Sequence, residues 1–269
     1  MKEFWTEKVV LVTGSCRGIG LELGKQLLDL KAKVIFHSNQ SPLPNDPGIQ
    51  DAVALKEAMY YQADVREFDQ INAMLAAVVS CFGRLDVVIN NAGVTSFGAI
   101  EKTNESIIRS VFDVNTIGPL LISKAAIPLL KESKGSLFFV SSLAAHHGIP
   151  NYITYSMSKQ ALTPLQEGLA MELKKDEVFV GLIHLGYTEN DDEKYALDAE
   201  GQKIKIPKRK RSLLMSKSNA ADVVLKAIAR RKKQSHANFA GKLYYSLVIF
   251  MPWLVKRIMY KTYLKSNVG

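Results

Sequence analysis

Apolar residues along this chain gather in short continuous runs at 8–13, 33–36, 85–89, 136–141 and 178–183, and helical spacing fills the stretches between them. Continuous runs suit strands covered on both faces, whereas a sheet open to water on one side would alternate apolar with polar positions. The first run, Val9-Val10-Leu11-Val12, leads through a glycine-rich turn into leucines 21, 23, 27 and 28, the buried stripe of a helix. Strand and helix alternate from there on. The expected fold is therefore α/β: a doubly wound, mostly parallel sheet with helices on both faces, in a single three-layer domain. The ligand cleft of such a sheet opens at the carboxyl ends of its strands, where Gly14, Asn91, Ser142 and Gly186 fall. A chain of 269 residues can bury one sizeable core of this kind, and it carries no tandem repeat.

The turn reads Thr13-Gly14-Ser15-Cys16-Arg17-Gly18-Ile19-Gly20. Its glycines permit a tight turn, a close backbone approach to a pyrophosphate and tight packing of helix on strand, while the helix N-terminus favours the negative charge. Far downstream, Tyr155 and Lys159 stand four residues apart on one helical face, and Ser142 precedes Tyr155 by thirteen residues. A lysine beside a phenol favours the phenolate. Free tyrosine titrates near ~10, and each unit of lowering requires about 1.4 kcal/mol. This arrangement suggests proton transfer beside a bound nucleotide. Sites selecting NAD place a carboxylate after the second strand to hold the ribose 2'-hydroxyl, but Phe36-His37-Ser38-Asn39 contains none. NADP(H) is accordingly expected over NAD(H).

Taken in order, these motifs resemble the short-chain dehydrogenase/reductase family over roughly residues 6–190. The turn matches that family's Thr-Gly-x-x-x-Gly-x-Gly spacing, and Asn90-Asn91-Ala92-Gly93 follows a strand-like run as it does there. The resemblance implies a Rossmann-like fold and hydride transfer between a nicotinamide and a carbonyl or secondary alcohol. It also implies residue roles. Tyr155 would exchange a proton with the substrate oxygen, Ser142 would hydrogen-bond that oxygen, and Lys159 would lower the phenol pKa and hold the nicotinamide ribose. Asn115 would kink a helix and order a water. Cofactor contacts would come from Gly14, Cys16, Arg17, Gly18, Ile19, Gly20, Ser38, Asn39, Asp64, Val65, Asn91, Ala92, Gly93, Gly186 and Thr188. Among these, Arg17 stands where similar proteins place a cation for the 2'-phosphate, and Asp64 where they meet the adenine. Two departures stand out: Leu185-Gly186 replaces the usual Pro-Gly, with Thr188 following sooner than usual, and the usual short last strand and glycine-rich tail are missing.

Charge divides the chain. Residues 201–269 hold 17 Lys or Arg against one acid, Asp222, and residues 1–200 hold 18 against 25, so nets of +16 and −7 make up the total of +9. Such asymmetry points to an anionic surface or ligand. The cluster Lys203 to Arg211 falls within an expected substrate lid, 187–217, of a catalytic domain spanning 1–241. A basic, apolar extension, 242–269, follows. Its run Leu243 to Val255 is about thirteen residues, short of the ~20 needed to span a bilayer, and Pro252 interrupts it. Flanking Lys256, Arg257, Lys261 and Lys265, with tyrosine and tryptophan, suit a segment lying on an anionic membrane or capping a partner subunit.

This tail, with Leu185-Gly186, resembles the 11β-hydroxysteroid dehydrogenase-like and related lipid-handling branches, which implies an apolar, lipid or sterol-like substrate. Met1 to Lys8 is too short and polar for a signal peptide. A cytoplasmic protein, peripheral to the inner face of a membrane, is expected, assembled as a homodimer or homotetramer and without a specific nucleic-acid partner. Cys16 and Cys81 show no metal or disulfide spacing, and the histidines show no zinc spacing, so no metal is expected. His146 and His147 should border the substrate pocket; His37, His184 and His236 read as structural or exposed. Two other functions fit the same residues: a 3-oxoacyl-thioester reductase whose basic lid meets a carrier protein or CoA, and a non-enzymatic NADP-sensing regulator.

Overall fold

The structure, a computed structural model, describes residues 1–189, 195–205 and 214–266. The acidic stretch beyond Glu189 and the cations Lys208 to Arg211 lie outside the described residues. Nine strands are present among the described residues: β1 (Val9–Val12), β2 (Lys33–Ser38), β3 (Ala58–Gln62), β4 (Val87–Asn90), β5 (Ser136–Ser142), β6 (Phe179–Leu185), β7 (Tyr195–Leu197), β8 (Lys203–Lys205) and β9 (Gln234–His236). Seven of them form a parallel sheet in the order β3-β2-β1-β4-β5-β6-β9, while β7 and β8 pair as a separate antiparallel hairpin. The order reverses at β1, between β2 and β4, and this switch point opens the crevice that the sequence placed at Gly14.

Both faces of the sheet are covered, as the continuous apolar runs require. Val10 and Val12 point into a core built with α1 (Lys2–Trp5), α2 (Gly18–Asp29), α3 (Pro47–Ala54) and α9 (Lys217–Ala229). Val9 and Leu11 point into the opposite core, against α4 (Phe68–Phe82), α6 (Gly118–Ser133) and α8 (Leu162–Glu172). Burying one such side chain contributes about 1.5–3 kcal/mol. α5 (Glu105–Phe112) runs into α6 through a π-helical turn, Asp113–Ile117, and α7 (Ile153–Gln160) leads into α8. The expected doubly wound fold is the one observed.

Two edge strands escaped the sequence. β3, Ala-Met-Tyr-Tyr-Gln, is only partly buried. β9 corrects the expectation that the last strand is missing: Gln234, Ser235 and His236 pair with Leu182, Ile183 and His184. Three polar residues carry no apolar signature, and the strand is recognised only by its ladder. After it come α10 (Phe239–Phe250) and α11 (Pro252–Ser266), separated where Pro252 was expected to interrupt the run. Phe239, Phe250 and Trp253 are exposed on this pair. Among the described residues no helix is long and apolar enough to cross a membrane.

The insertion after β6 is closed at its base, where Met215 N–H donates to the Tyr187 carbonyl and Glu189 N–H to the Met215 carbonyl, both at 2.9 Å. The β7–β8 hairpin lies on the loop after β4. Leu197 N–H donates to the Thr95 carbonyl and Phe97 N–H to the Leu197 carbonyl, both at 2.8 Å.

Candidate active site

The glycine turn is fitted against the loop after β4. Gly14 and Gly18 adopt left-handed φ values of 63° and 59°, and a Cβ on Gly14 would lie 2.9 Å from the Ala92 Cα. A Cβ on Gly20 would collide with the Gly14 carbonyl and the Asn91 amide. Thr13, which the sequence did not single out, holds the two loops together: its Oγ1 accepts from Asn91 N–H at 3.0 Å and from Ala92 N–H at 2.9 Å. The Asn91 side chain returns the contact, donating to the carbonyls of Thr13 at 2.9 Å and Gly14 at 3.2 Å. No side chain caps the N-terminus of α2, so its first N–H groups remain directed at the crevice as an anion site.

β2 braces the turn from the other side. His37 Nδ1 accepts from Gly14 N–H at 3.1 Å, and Ser15 N–H donates to the His37 carbonyl at 2.8 Å. Burial holds His37 neutral, with a pKa pulled down to about 4 against the opposing effects of the Ala63 backbone and the Asp64 carboxylate. Beyond it, Ser38 is buried, its hydroxyl donating to the Ser41 carbonyl, and Asn39 is exposed. Asn39 donates to Asp64 at 2.9 Å, and Arg66 Nε donates to both Asp64 oxygens at 2.9 and 3.0 Å. Arg66 holds the Asp64 carboxyl below its ordinary range, so Asp64 stands at this end of the crevice as a fixed, ionised acceptor. Val65 turns its side chain toward Gly118 instead. Cys16 is buried and Ile19 packs on the core, while Arg17 is exposed with its guanidinium 5.4 Å from the Tyr195 ring centroid.

Ser142, Tyr155, Lys159 and Asn115 come together at the ends of β4 and β5. Ser142 closes β5, and its Oγ accepts from Ala144 N–H at 3.2 Å. Lys159, buried, reaches back from α7 so that Nζ donates to the Val140 carbonyl at 3.1 Å. Asn115, also buried, sits in the π turn; its Oδ1 accepts from Val94 N–H at 2.8 Å and its Nδ2 donates to the Val94 carbonyl at 2.9 Å and to Ser158 Oγ at 3.0 Å. Single-turn π segments inside helices are frequent at functional sites. Asn115 and Lys159 both crowd Gly93, where a Cβ would lie 3.1 Å from Asn115 Oδ1 and 3.2 Å from Lys159 Nζ. Ser158 was missed by sequence reasoning, although it lies inside the Tyr155 to Lys159 stretch. It donates to the Tyr155 carbonyl at 2.8 Å while accepting from Asn115.

One expectation needs correcting. The Tyr155 phenol was expected below its ordinary pKa because of Lys159; burial instead pushes it up, and the Ser142 hydroxyl opposes that shift. Desolvation of a phenolate is the larger effect in this pocket.

Gly186 follows β6, and Thr188 is buried at the base of the insertion, bridged to Met215. His184 and His236, read from the sequence as structural or exposed, gather with His146 behind Ser142. His146, His184 and His236 bring their ring nitrogens within 4.8 Å of one another, a grouping of metal-ligand type that the spacing along the chain had not shown. Spacing did not reveal it because the three lie on separate segments that only the fold unites.

Comparison with known proteins agrees with this geometry. Residues 8–200 match the short chain dehydrogenase family. The uncharacterised oxidoreductase YxnA of Bacillus subtilis is 31% identical over 95% of this chain and 72% of its own length. An uncharacterised oxidoreductase of Methylorubrum extorquens is 37% identical over 67% of this chain and 73% of its own. A short chain dehydrogenase from Burkholderia cenocepacia, solved in complex with NADP, superposes with a TM-score of 0.79 at 20% identity, covering 95% of this chain and 98% of that one. One from Burkholderia phymatum, solved with NAD, reaches 0.76 at 19% identity over 90% of this chain and 93% of that one. The matched stretch includes the crevice-forming residues: the chain belongs to the short-chain dehydrogenase/reductase family and is an oxidoreductase that uses a nicotinamide cofactor.

Proposed function

We propose that this enzyme transfers hydride between NADP(H) and a carbonyl or secondary alcohol on an apolar, lipid or sterol-like molecule. The observation that carries the reading is the convergence of Ser142, Tyr155, Lys159 and Asn115 across the crevice from the uncapped N-terminus of α2. When bound, the cofactor supplies or accepts the hydride. Tyr155 gives a proton to the substrate oxygen during reduction and recovers it through Lys159 and the π turn at Asn115, while Ser142 fixes the oxygen by a hydrogen bond. A phenol held protonated by burial is suited to the role of acid.

Coenzyme preference rests on the end of β2. Ser38 and Asn39 bring no carboxylate there, and exposed Arg17 offers a cation for a 2'-phosphate. The apolar substrate is supported by the exposed tail, because α10 packs against the Ser142 loop through Tyr245 and His146, whose ring centroids are 4.6 Å apart. In this reading α10 and α11 rest on an anionic membrane face and deliver substrate to the crevice, with residues 1–241 as catalytic domain. Exposed Leu120, Met157 and Met171 on α6, α7 and α8 suit a homodimer. Lys203 and Lys205 on the hairpin favour a second reading, reduction of a 3-oxoacyl thioester on an anionic carrier. Following NADPH and NADH oxidation with apolar ketones, aldehydes and 3-oxoacyl thioesters separates the two. Faster turnover of apolar ketones with NADPH supports the first, preference for thioesters the second, and no turnover with any of them defeats both.

A further inference from the structure

His146, His184 and His236 arrive from three separate places: the 3-10 turn Leu143–His146 after β5, the end of β6 and the end of β9. His146 Nε2 and His236 Nε2 are 3.0 Å apart, and the ring centroids of His146 and His184 are 4.0 Å apart. Tyr245 of α10 closes the cluster, 4.6 Å from the His146 ring and 4.8 Å from the His236 ring. Packing alone does not account for this choice of residues. The buried His184 ring and the half-buried rings of His146 and His236 cost desolvation free energy that leucines in the same space would not.

We propose that these histidines form a site for a borderline divalent transition-metal ion, with zinc as the best match, tying the Ser142 loop to the carboxyl ends of β6 and β9. A zinc ion holds imidazole nitrogens at about 2.0–2.1 Å, which sets ligand atoms roughly 3.3 Å apart in a tetrahedron. The 3.0 Å pair meets this spacing, and small ring rotations bring in the third nitrogen from within 4.8 Å. A second observation concerns the tautomer. His184 Nδ1 lies 3.3 Å from the Ser142 carbonyl, which only a protonated Nδ1 can use, leaving the Nε2 lone pair for metal. Backbone carbonyls orient metal-bound histidines in this way. Lys242 stands near His236 and works against a dication there.

The test uses the full chain, free of any affinity tag and stripped with a chelator, and needs no substrate. Zn²⁺ is titrated in competition with a chromophoric chelator, and Co²⁺ serves as the spectroscopic probe. One Zn²⁺ per chain is expected, with a rise in the thermal midpoint and a Co²⁺ spectrum free of thiolate charge transfer. His236→Asn and His146→Asn, both at partly exposed positions, should each weaken Zn²⁺ binding at least about 100-fold while retaining cofactor binding as a check of folding. Cys81→Ser should leave it unchanged. Absence of stoichiometric Zn²⁺ binding by the wild type, unchanged binding in both histidine variants, or a thiolate band from Co²⁺ would each overturn the proposal. If the variants fail to fold, the wild-type stoichiometry and the Co²⁺ spectrum decide alone.

Discussion

The floor of the crevice and the C-terminal tail of this enzyme are specified in different ways. The floor is built from buried polar groups, each placed by a backbone partner: Thr13 under Asn91 and Ala92, His37 under Gly14, Asn115 across Val94, Lys159 on Val140. The tail is built from composition, with exposed Phe239, Phe250, Trp253 and Tyr260 among lysines and an arginine. Removing one atom from the floor should therefore act sharply, whereas the tail should respond in graded steps.

The sharpest break is Tyr155→Phe, which removes only the proposed proton donor. Turnover should fall about 10²–10⁴-fold with NADPH affinity preserved, as read from steady-state rates beside direct cofactor titration. Retained turnover would place the acid elsewhere. Next comes acid stability. His37 titrates at about 4 when folded, and an unfolded histidine near 6.5, so between those values the unfolded chain binds the extra proton. Its contribution is fully present above about 6.5 and fades as the pH falls to about 4, amounting to roughly 3 kcal/mol. Denaturant melts of the wild type and His37→Asn across this range should show a shallower pH slope in the variant. Parallel slopes would mean that His37 does not govern this window.

Arg17→Ala tests a group on the border between the two regions. It should weaken NADPH by about 1–3 kcal/mol and leave NADH nearly unchanged. Equal losses would point to a disturbed turn rather than to a lost phosphate contact. The smallest effect belongs to the tail. Cosedimentation with anionic vesicles at low salt should weaken by about 1 kcal/mol, roughly fivefold, in Arg257→Ala, and should fade as salt rises. If the intact protein ignores anionic vesicles altogether, the tail serves a protein surface instead.

How much of this was legible beforehand follows the same division. The central strands announced themselves as unbroken apolar runs because both of their faces are buried, and the glycine turn and Tyr155 to Lys159 spacing were visible because local geometry demands them. β9 was invisible: Gln234, Ser235 and His236 form a strand only because β6 offers a free edge. The histidine cluster, Thr13 as a brace and the direction of the Tyr155 shift were hidden for a related reason. Each depends on groups distant in sequence, and in the case of Tyr155 on how much water the fold removes, which no local spacing records.

The π turn at Asp113–Ile117 has a further consequence, for how this protein can change over generations. An α-helix advances about 100° per residue, so the extra residue accommodated there fixes the rotational phase of all of α6. Ile122, Ala126 and Leu130 are buried in that phase, and Gly118 meets Val65 in it. Deleting one residue from the turn to regularise the helix would swing this whole apolar stripe away from the sheet while removing the π turn that carries Asn115. The placement of Asn115 and core packing are thus inherited together, and drift in one is held in check by selection on the other.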